Sequence, residues 1–205
     1  IAFGYRQMEK AGIWFSPVYS GNVSPAVLED EYGEVFFWLL PFIKPVHAAR
    51  YFGEEINRYN DAVRAAVSAM NVDTSKRNIM VTHQFITGSK VCDSEEINVG
   101  GADNVDAEIF KDFDYTALGH LHGPQYAGAG NVRYCGSPLK YSFSEKDQEK
   151  SITYLEIGEK GNIDISLIPL VPLRDLRQIK GTYDELTFKG SYEGTDTNDY
   201  IHAVL

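Results

Sequence analysis

Two short apolar stretches, each running into histidine, decide how this sequence folds. Residues 78–83 read Asn-Ile-Met-Val-Thr-His, and residues 115–122 read Tyr-Thr-Ala-Leu-Gly-His-Leu-His. A short continuous apolar run is typical of a strand that is buried on both faces of a parallel sheet. Open α/β sheets place their chemistry where such strands end. The sequence therefore predicts an α/β fold whose functional site includes the histidines that follow these two strands.

The rest of the chain supplies further helices and strands and a change in composition near its end. The patterns predict helices over 3–11, 54–72 and 105–110, strands over 13–19, 35–40, 78–82, 115–118 and 132–135, and a hairpin of 151–157 with 163–170. Pro169 and Pro172 then interrupt the chain, and the sequence from Leu173 is more charged. We therefore expect one domain over 1–171 and the start of another over 172–205.

Composition excludes some classes of function. A net charge of −10 argues against a protein that binds nucleic acid mainly through bulk electrostatics. It leaves room for a nuclease, because metal ions can supply positive charge at the reaction site. The longest apolar run, residues 35–43, is too short to cross a bilayer and is broken by Pro41. Cys92 and Cys135 lie far apart, so we expect two reduced, buried thiols in a cytoplasmic protein.

The histidines have the spacing of metal ligands. His120 and His122 are two residues apart, so an extended segment would direct both rings to the same side. Flanking glycines let the backbone turn sharply there. Neutral imidazole is the commonest nitrogen ligand for zinc, manganese and iron, and His83 could complete a set of three. The alternatives are ordinary polar histidines, as we interpret His47 and His202, or a single zinc held by three histidines.

Longer stretches around these histidines resemble a known family. Residues 80–85, 99–101 and 113–122 look like the later motifs of calcineurin-like phosphoesterases. Residues 133–145, Arg-Tyr-Cys-Gly-Ser-Pro-Leu-Lys-Tyr-Ser-Phe-Ser-Glu, narrow the resemblance to the SbcD family of bacterial DNA nucleases. Residues 172–177 resemble the start of that family's capping domain. The resemblance implies the C-terminal part of a two-sheet sandwich flanked by helices, followed by the start of an α+β cap.

The resemblance also implies a metal site. By the family pattern, His83 and His120 would bind one Mn²⁺ and His122 the other, with two Mn²⁺ in a complete site that hydrolyses DNA phosphodiester bonds. The family's Asp-x-His motif, its metal-bridging aspartate and its Gly-Asn-His-Asp motif have no counterpart in these 205 residues.

The missing motifs bear on catalysis, because the histidine of Gly-Asn-His-Asp is the family's general acid. The first residue is Ile1, and the segment that begins there resembles the one that follows Gly-Asn-His-Asp in the family. We therefore expect the general-acid histidine to lie upstream of Ile1 and the chain to end inside the cap. We also expect that these 205 residues contain no catalytic residue and are inactive alone.

Substrate contacts are expected beyond the histidines. Lys140 and Tyr141 are the candidates for substrate binding. In the alternative interpretation, Lys140, Lys146 and Lys150 lie in a solvated loop balanced by neighbouring acids, and Tyr141 belongs to the core with Phe143. Arg174, Arg177 and Lys180 show the same ambiguity.

The family resemblance further implies an ATPase of the SbcC type, related to SMC proteins, and DNA as partners, with no membrane. It also implies a homodimer of the full-length protein, formed through the helix over 3–11. Phe3, Tyr5 and Met8 would lie on that helix, either at the dimer interface or in the core. Three other functions are consistent with the same residues: a phosphoesterase for small phosphodiesters, a non-catalytic module that docks an ATPase, and a mono-zinc enzyme.

Overall fold

The computed structural model describes residues 5–95, 104–128, 130–195 and 197–205, without the side chains of Tyr5 and Arg6. Its helices are α1 (Tyr5–Lys10), α2 (Pro45–Phe52), α3 (Tyr59–Ala69), α4 (Tyr183–Thr187) and α5 (Lys189–Tyr192). Its strands are β1 (Ala26–Asp30), β2 (Gly33–Leu40), β3 (Arg77–His83), β4 (Phe85–Ile86), β5 (Asn104–Val105), β6 (Tyr115–Gly119), β7 (Gln125–Tyr126), β8 (Val132–Tyr134), β9 (Ser151–Ile157), β10 (Ile163–Pro169), β11 (Leu176–Lys180) and β12 (Tyr200–Val204). Short 3-10 turns cover Ala107–Phe110 and Phe143–Glu145.

A mixed sheet of six strands forms the centre of the molecule, in the order β1-β2-β3-β6-β8-β7. Strands β2, β3, β6 and β8 are parallel, and the antiparallel strands β1 and β7 form the two edges. Smaller two-stranded sheets pair β9 with β10, β11 with β12, and β4 with β5. The predicted α/β class is confirmed.

The two faces of the six-stranded sheet are covered by different elements. Successive side chains of a strand point to opposite faces, so Ile79 and Met80 of β3 belong to different cores. Ile79 packs with Val35 and Tyr115 beneath the β9–β10 hairpin. Met80 packs in the larger core, which contains the buried residues of α3. The hairpin is thus a second layer on the sheet, and the complete two-sheet sandwich stays a prediction.

Arg77 joins the hairpin layer to the sheet. Its buried guanidinium donates to both carboxylate oxygens of Asp30, at 2.9 and 2.5 Å, and to the carbonyl oxygens of Gly33 and Gly158, at 2.6 and 2.9 Å. The hydrogen bonds from Arg77 hold the pKa of Asp30 below its usual range. Arg77 therefore joins the β1–β2 turn and the β9–β10 turn at the amino end of β3.

Some local predictions were wrong. The expected strand over 13–19 does not form: Pro17 lacks a backbone N–H, and no described strand pairs with this segment. The helix expected over 54–72 begins only at Tyr59. Strand β1 and helix α2 were not predicted, although Pro45 at the start of α2 is a helix-initiating signal. Cys92 is half-buried and Cys135 is exposed, which contradicts two buried thiols.

Residues beyond Pro172 contain the sheet of β11 and β12 and two short helices, and the ring of His202 lies 5.1 Å from that of Phe143. Strands β11 and β12 pair only with each other, and none of the described residues after Pro172 is buried. One contact across the expected boundary is an ion pair between Lys140 Nζ and Asp175 Oδ2, at 2.9 Å. The division at 171 and 172 stays a prediction. In the described part of the chain, no helix is both long enough and apolar enough to cross a membrane.

Candidate functional site

His83 and His120 meet at the carboxyl edge of the parallel sheet. His83 is the last residue of β3, and its register partner on β6 is Gly119, so His120 follows directly beside it. The two ring centroids are 5.2 Å apart and the rings are nearly perpendicular, at 82°. Parallel pairing thus brings together two histidines that are far apart in the sequence.

Gly119 makes this approach sterically feasible. A Cβ atom at this position would lie 2.7 Å from Nδ1 of His83, closer than carbon and nitrogen atoms normally approach without a bond. His120 itself has a φ of +104°, in a region that residues with a side chain rarely adopt. Such backbone geometry persists only where the surrounding structure imposes it, and it is concentrated at functional sites. The strained turn is therefore an independent sign of function at this edge.

The His83–His120 pair fits a shared metal ion. With metal–nitrogen bonds of about 2.1 Å, two imidazoles on one ion have ring centroids roughly 4.5–5.5 Å apart. The observed separation of 5.2 Å is in that range. Desolvation by the surrounding protein, and then the neighbouring His120, lower the pKa of His83. Although His83 is exposed as a residue, this favours the neutral ring that a metal requires.

Tyr134 holds the backbone that follows His83. Its buried hydroxyl donates to the carbonyl oxygen of Gln84 at 2.8 Å and accepts from the amide of Ile86 at 2.8 Å. Burial raises the pKa of Tyr134 to about 12, so the hydroxyl remains protonated. The turn from β3 into β4 is therefore held by hydrogen bonds to the side chain of Tyr134 on β8.

His122 is held by a different set of groups. Its Nδ1 lies 2.8 Å from the hydroxyl of Ser94 and 3.3 Å from Oε1 of Glu145. Its backbone N–H donates to Oε1 of Glu95. Its ring also lies beside Tyr141, with centroids 5.3 Å apart. The ring of His122 is thus anchored through Nδ1, and convergence of all three histidines on one site stays a prediction.

A buried ion pair between Glu145 and Lys150 supports His122. The side chains of Glu145 and Lys150 are 0% and 4% exposed, and Lys150 Nζ lies 2.6 Å from Glu145 Oε2. Burial alone would raise the pKa of Glu145, but hydrogen bonds from Lys150, Ser94 and His122 outweigh it and lower the pKa to about 2. Lys150 also donates to the carbonyl oxygen of His122 at 2.8 Å. The pair therefore holds both the ring and the backbone of His122.

Cys92, His122 and Glu145 form a mixed group of potential metal ligands, with donor atoms within 4.8 Å of one another. Sulfur, nitrogen and oxygen donors together would suit zinc. However, Glu145 already accepts from the Lys150 ammonium on one oxygen and from the Ser94 hydroxyl on the other. A cation here would have to displace these donors and lie close to the ammonium, so His83 and His120 remain the better metal-binding pair.

The expected substrate residues have different environments. Lys140 Nζ is bound to Asp175 Oδ2 and to the carbonyl oxygen of Lys146, at 2.9 and 2.8 Å. Tyr141 is 61% exposed, so its assignment to the core was wrong. The assignment of Lys150 to a solvated loop was also wrong, because a buried carboxylate and three further acceptors surround its ammonium. Substrate binding by Lys140 and Tyr141 stays a prediction.

Sequence reasoning missed the groups that support His122. Glu145 lies inside the family-like stretch 133–145, but nothing in the sequence indicates that its side chain is buried. Ser94 and Glu95 lie outside every recognised motif. All three act through hydrogen bonds to His122 that join distant parts of the chain.

Several expectations fall on parts of the chain that the structure does not describe. Ile1, Phe3 and the side chain of Tyr5 lie outside the described residues, and so does the family-like stretch 99–101. The general-acid histidine expected upstream of Ile1 therefore stays a prediction, and so does the absence of a catalytic residue. Of the helix residues expected at a dimer interface, Met8 is described and is 45% exposed.

Comparison with known proteins identifies curated relatives of this chain. No family model matches the chain. A protein from Staphylococcus epidermidis, named as the SbcD subunit of the nuclease SbcCD, is 35% identical over 179 residues, which is 85% of this chain and 48% of that protein. A protein of the same name from Staphylococcus saprophyticus is 30% identical over 208 residues, 99% of this chain and 54% of that protein. The chain thus spans about half the length of the curated relatives it matches.

Proposed function

We propose that this chain, which is SbcD-like over most of its length, contributes a metal-binding histidine set to a DNA nuclease. The observation that carries the proposal is the His83–His120 pair at the ends of adjacent parallel strands. In this proposal His83 and His120 hold one Mn²⁺ and His122 a second. Two bound divalent cations would supply activation of water and neutralisation of charge on the phosphoryl oxygens.

The residues of this chain would perform the positioning. The parallel register and Gly119 place His83 against His120, and the polar groups around Glu145 place His122. Tyr141 is exposed beside the ring of His122, where it could line the path of a substrate. The net charge of −10 makes bulk attraction of DNA weak, so local contacts and the cations would carry substrate binding.

The names of the curated relatives place them in the nuclease SbcCD. We propose that this chain likewise belongs to a protein that works with an SbcC-type ATPase, as a homodimer, on DNA in repair and recombination in the cytoplasm. We also propose that the 205 residues alone do not turn over DNA. Three neutral imidazoles do not compensate the charge of two neighbouring dications, for which carboxylates are needed.

Mn²⁺ binding to the 205-residue chain, measured by electron paramagnetic resonance, tests the histidine set. His83→Ala and His120→Ala should each weaken binding at least tenfold, since each removes a ligand. His202→Ala is the matched control, because His202 is exposed on β12, in a separate two-stranded sheet. Equal binding by His83→Ala and His202→Ala would refute the assignment.

A nuclease assay with duplex DNA and Mn²⁺ tests the catalytic part of the proposal. We expect the isolated chain to show no turnover above background. Robust turnover that His122→Ala abolishes would show that the ligands in this chain suffice for the reaction. Turnover that survives His122→Ala would indicate a contaminating nuclease.

A further inference from the structure

We infer that Ser94 and Glu145, with Lys150 behind them, are positioning residues that fix His122 as its Nδ1–H tautomer and so present Nε2 to a metal. The inference rests on the proposed function only in its last step, the metal. The tautomer follows from the hydrogen bonds of this chain, and it can be measured on metal-free protein.

The direction of each hydrogen bond determines the tautomer. Oε1 of Glu145 accepts from the Ser94 hydroxyl at 2.5 Å and from the amide of Tyr141 at 3.2 Å, and a carboxylate cannot donate. The single proton of Ser94 is therefore committed to Glu145. Oγ of Ser94, at 2.8 Å from Nδ1 of His122, must then accept from that nitrogen.

A second contact gives the same answer independently. Nδ1 of His122 also lies 3.3 Å from Oε1 of Glu145, which can only accept. Both neighbours of Nδ1 thus require a proton on it, and a neutral ring with Nδ1–H keeps its lone pair on Nε2. The hydrogen bond made by one ring nitrogen commonly decides which nitrogen binds a metal.

Lys150 fixes the orientation of the carboxylate and of the histidine backbone. Its ammonium donates to Oε2 of Glu145 at 2.6 Å, which leaves Oε1 to face Ser94 and His122. It also donates to the carbonyl oxygen of His122 at 2.8 Å. Gly136 passes close to that carbonyl, where a Cβ would lie 2.8 Å from the oxygen. The backbone and the ring of His122 are therefore held by one connected network.

Glu145→Gln is the sharpest perturbation. A carboxamide has one oxygen, and the Lys150 ammonium would take it, so the amide NH₂ would face Ser94 and His122. Ser94 would then accept from the amide and donate to Nδ1, and the proton of His122 would move to Nε2. We expect the tautomer to invert and Mn²⁺ affinity to fall about 10- to 100-fold. Glu149→Gln is the matched control, because Glu149 is exposed and lies close by in the sequence.

The experiment is long-range ¹H–¹⁵N correlation of the histidine rings in the metal-free 205-residue chain, at about pH 8, above the ordinary imidazole range. His122→Ala identifies the His122 signals by their loss. Wild-type protein and Glu149→Gln should show Nδ1–H, and Glu145→Gln should show Nε2–H. Titration with Mn²⁺ then reports which variants bind metal near His122 through paramagnetic broadening.

The outcomes separate the inference from the proposed function. An Nε2–H tautomer in the wild-type protein would overturn the inference even if Glu145→Gln cannot be folded. An unchanged tautomer in folded Glu145→Gln would also overturn it. An Nδ1–H tautomer with no Mn²⁺ broadening of any histidine would support the positioning role and contradict the proposed function instead.

Discussion

Replacing Lys150 by methionine should destabilise the protein far more than the same replacement of a surface lysine. Methionine keeps much of the length of the side chain but removes the ammonium, which has four acceptors between 2.6 and 2.9 Å: Glu145 Oε2, Gln148 Oε1, the carbonyl oxygen of His122 and Ser137 Oγ. The carboxylate of Glu145, fully buried, would lose its countercharge. Leaving one member of a buried ion pair without its partner costs about 3–5 kcal/mol.

Urea unfolding provides the measurement. With a slope of about 2 kcal/mol per molar urea, that loss lowers the midpoint by about 1.5–2.5 M. Lys111→Met is the matched control, since its ion pair with Glu108 spans 3.2 Å between side chains that are 63% and 70% exposed. Exposed pairs contribute less than about 1 kcal/mol, so the control midpoint should fall by less than about 0.5 M.

The double variant Glu145→Gln/Lys150→Met tests the cause of the loss. It removes the carboxylate charge together with the ammonium, so it should be more stable than Lys150→Met alone. This holds even if the single variant does not fold. Equal midpoints for Lys150→Met and Lys111→Met would refute the reasoning, and so would a double variant no more stable than the single one.

Two further predictions concern the His83–His120 pair and the network around Glu145. Gly119→Ala should displace the His83 ring, because the new Cβ would lie 2.7 Å from its Nδ1, whereas a Cβ in the control Gly130→Ala meets nothing within 4 Å. Calorimetric titration should show Mn²⁺ affinity reduced at least tenfold in Gly119→Ala only. Equal affinities in the two variants would contradict the prediction. Since the pKa of Glu145 is lowered from 4.5 to about 2, its contribution of about 3 kcal/mol should be present above about pH 4.5 and lost as pH falls towards 2. The difference in urea midpoint between the wild type and Glu145→Gln/Lys150→Met should therefore be smaller at about pH 3 than at about pH 6. A difference that does not change with pH would exclude this linkage.

The parallel core and its histidine pair could be predicted from sequence because their signals are local. Strands buried on both faces need continuous apolar residues, and β3 and β6 have them. Parallel pairing then fixes which residues meet at the carboxyl edge, so His83 beside His120 follows from the pattern. The expected helix over 54–72 was also local, but its first turn gave way to irregular chain before Tyr59.

The support of His122 could not be predicted, because it depends on which charges are buried. Lys146 and Lys150 look alike in the sequence, yet Lys150 is buried against Glu145, whereas Lys146 pairs with the exposed Asp147. Ser94 reaches Glu145 across 51 residues of sequence. Local sequence does not indicate that contact, since it forms only when Asp93 and Ser94 lie beside the 3-10 turn that contains Ser144 and Glu145.

The two groups of histidines are therefore held by physically different means. His83 and His120 depend on backbone register and on the absence of a Cβ at Gly119, which are properties of a rigid sheet. His122 depends on a polar network that joins it to Ser94, Glu145 and Lys150. Register tolerates changes in surface charge, whereas a buried network fails when one member is lost. Two cations held in this way would be expected to differ in how strongly their binding responds to substitutions away from the ligands themselves.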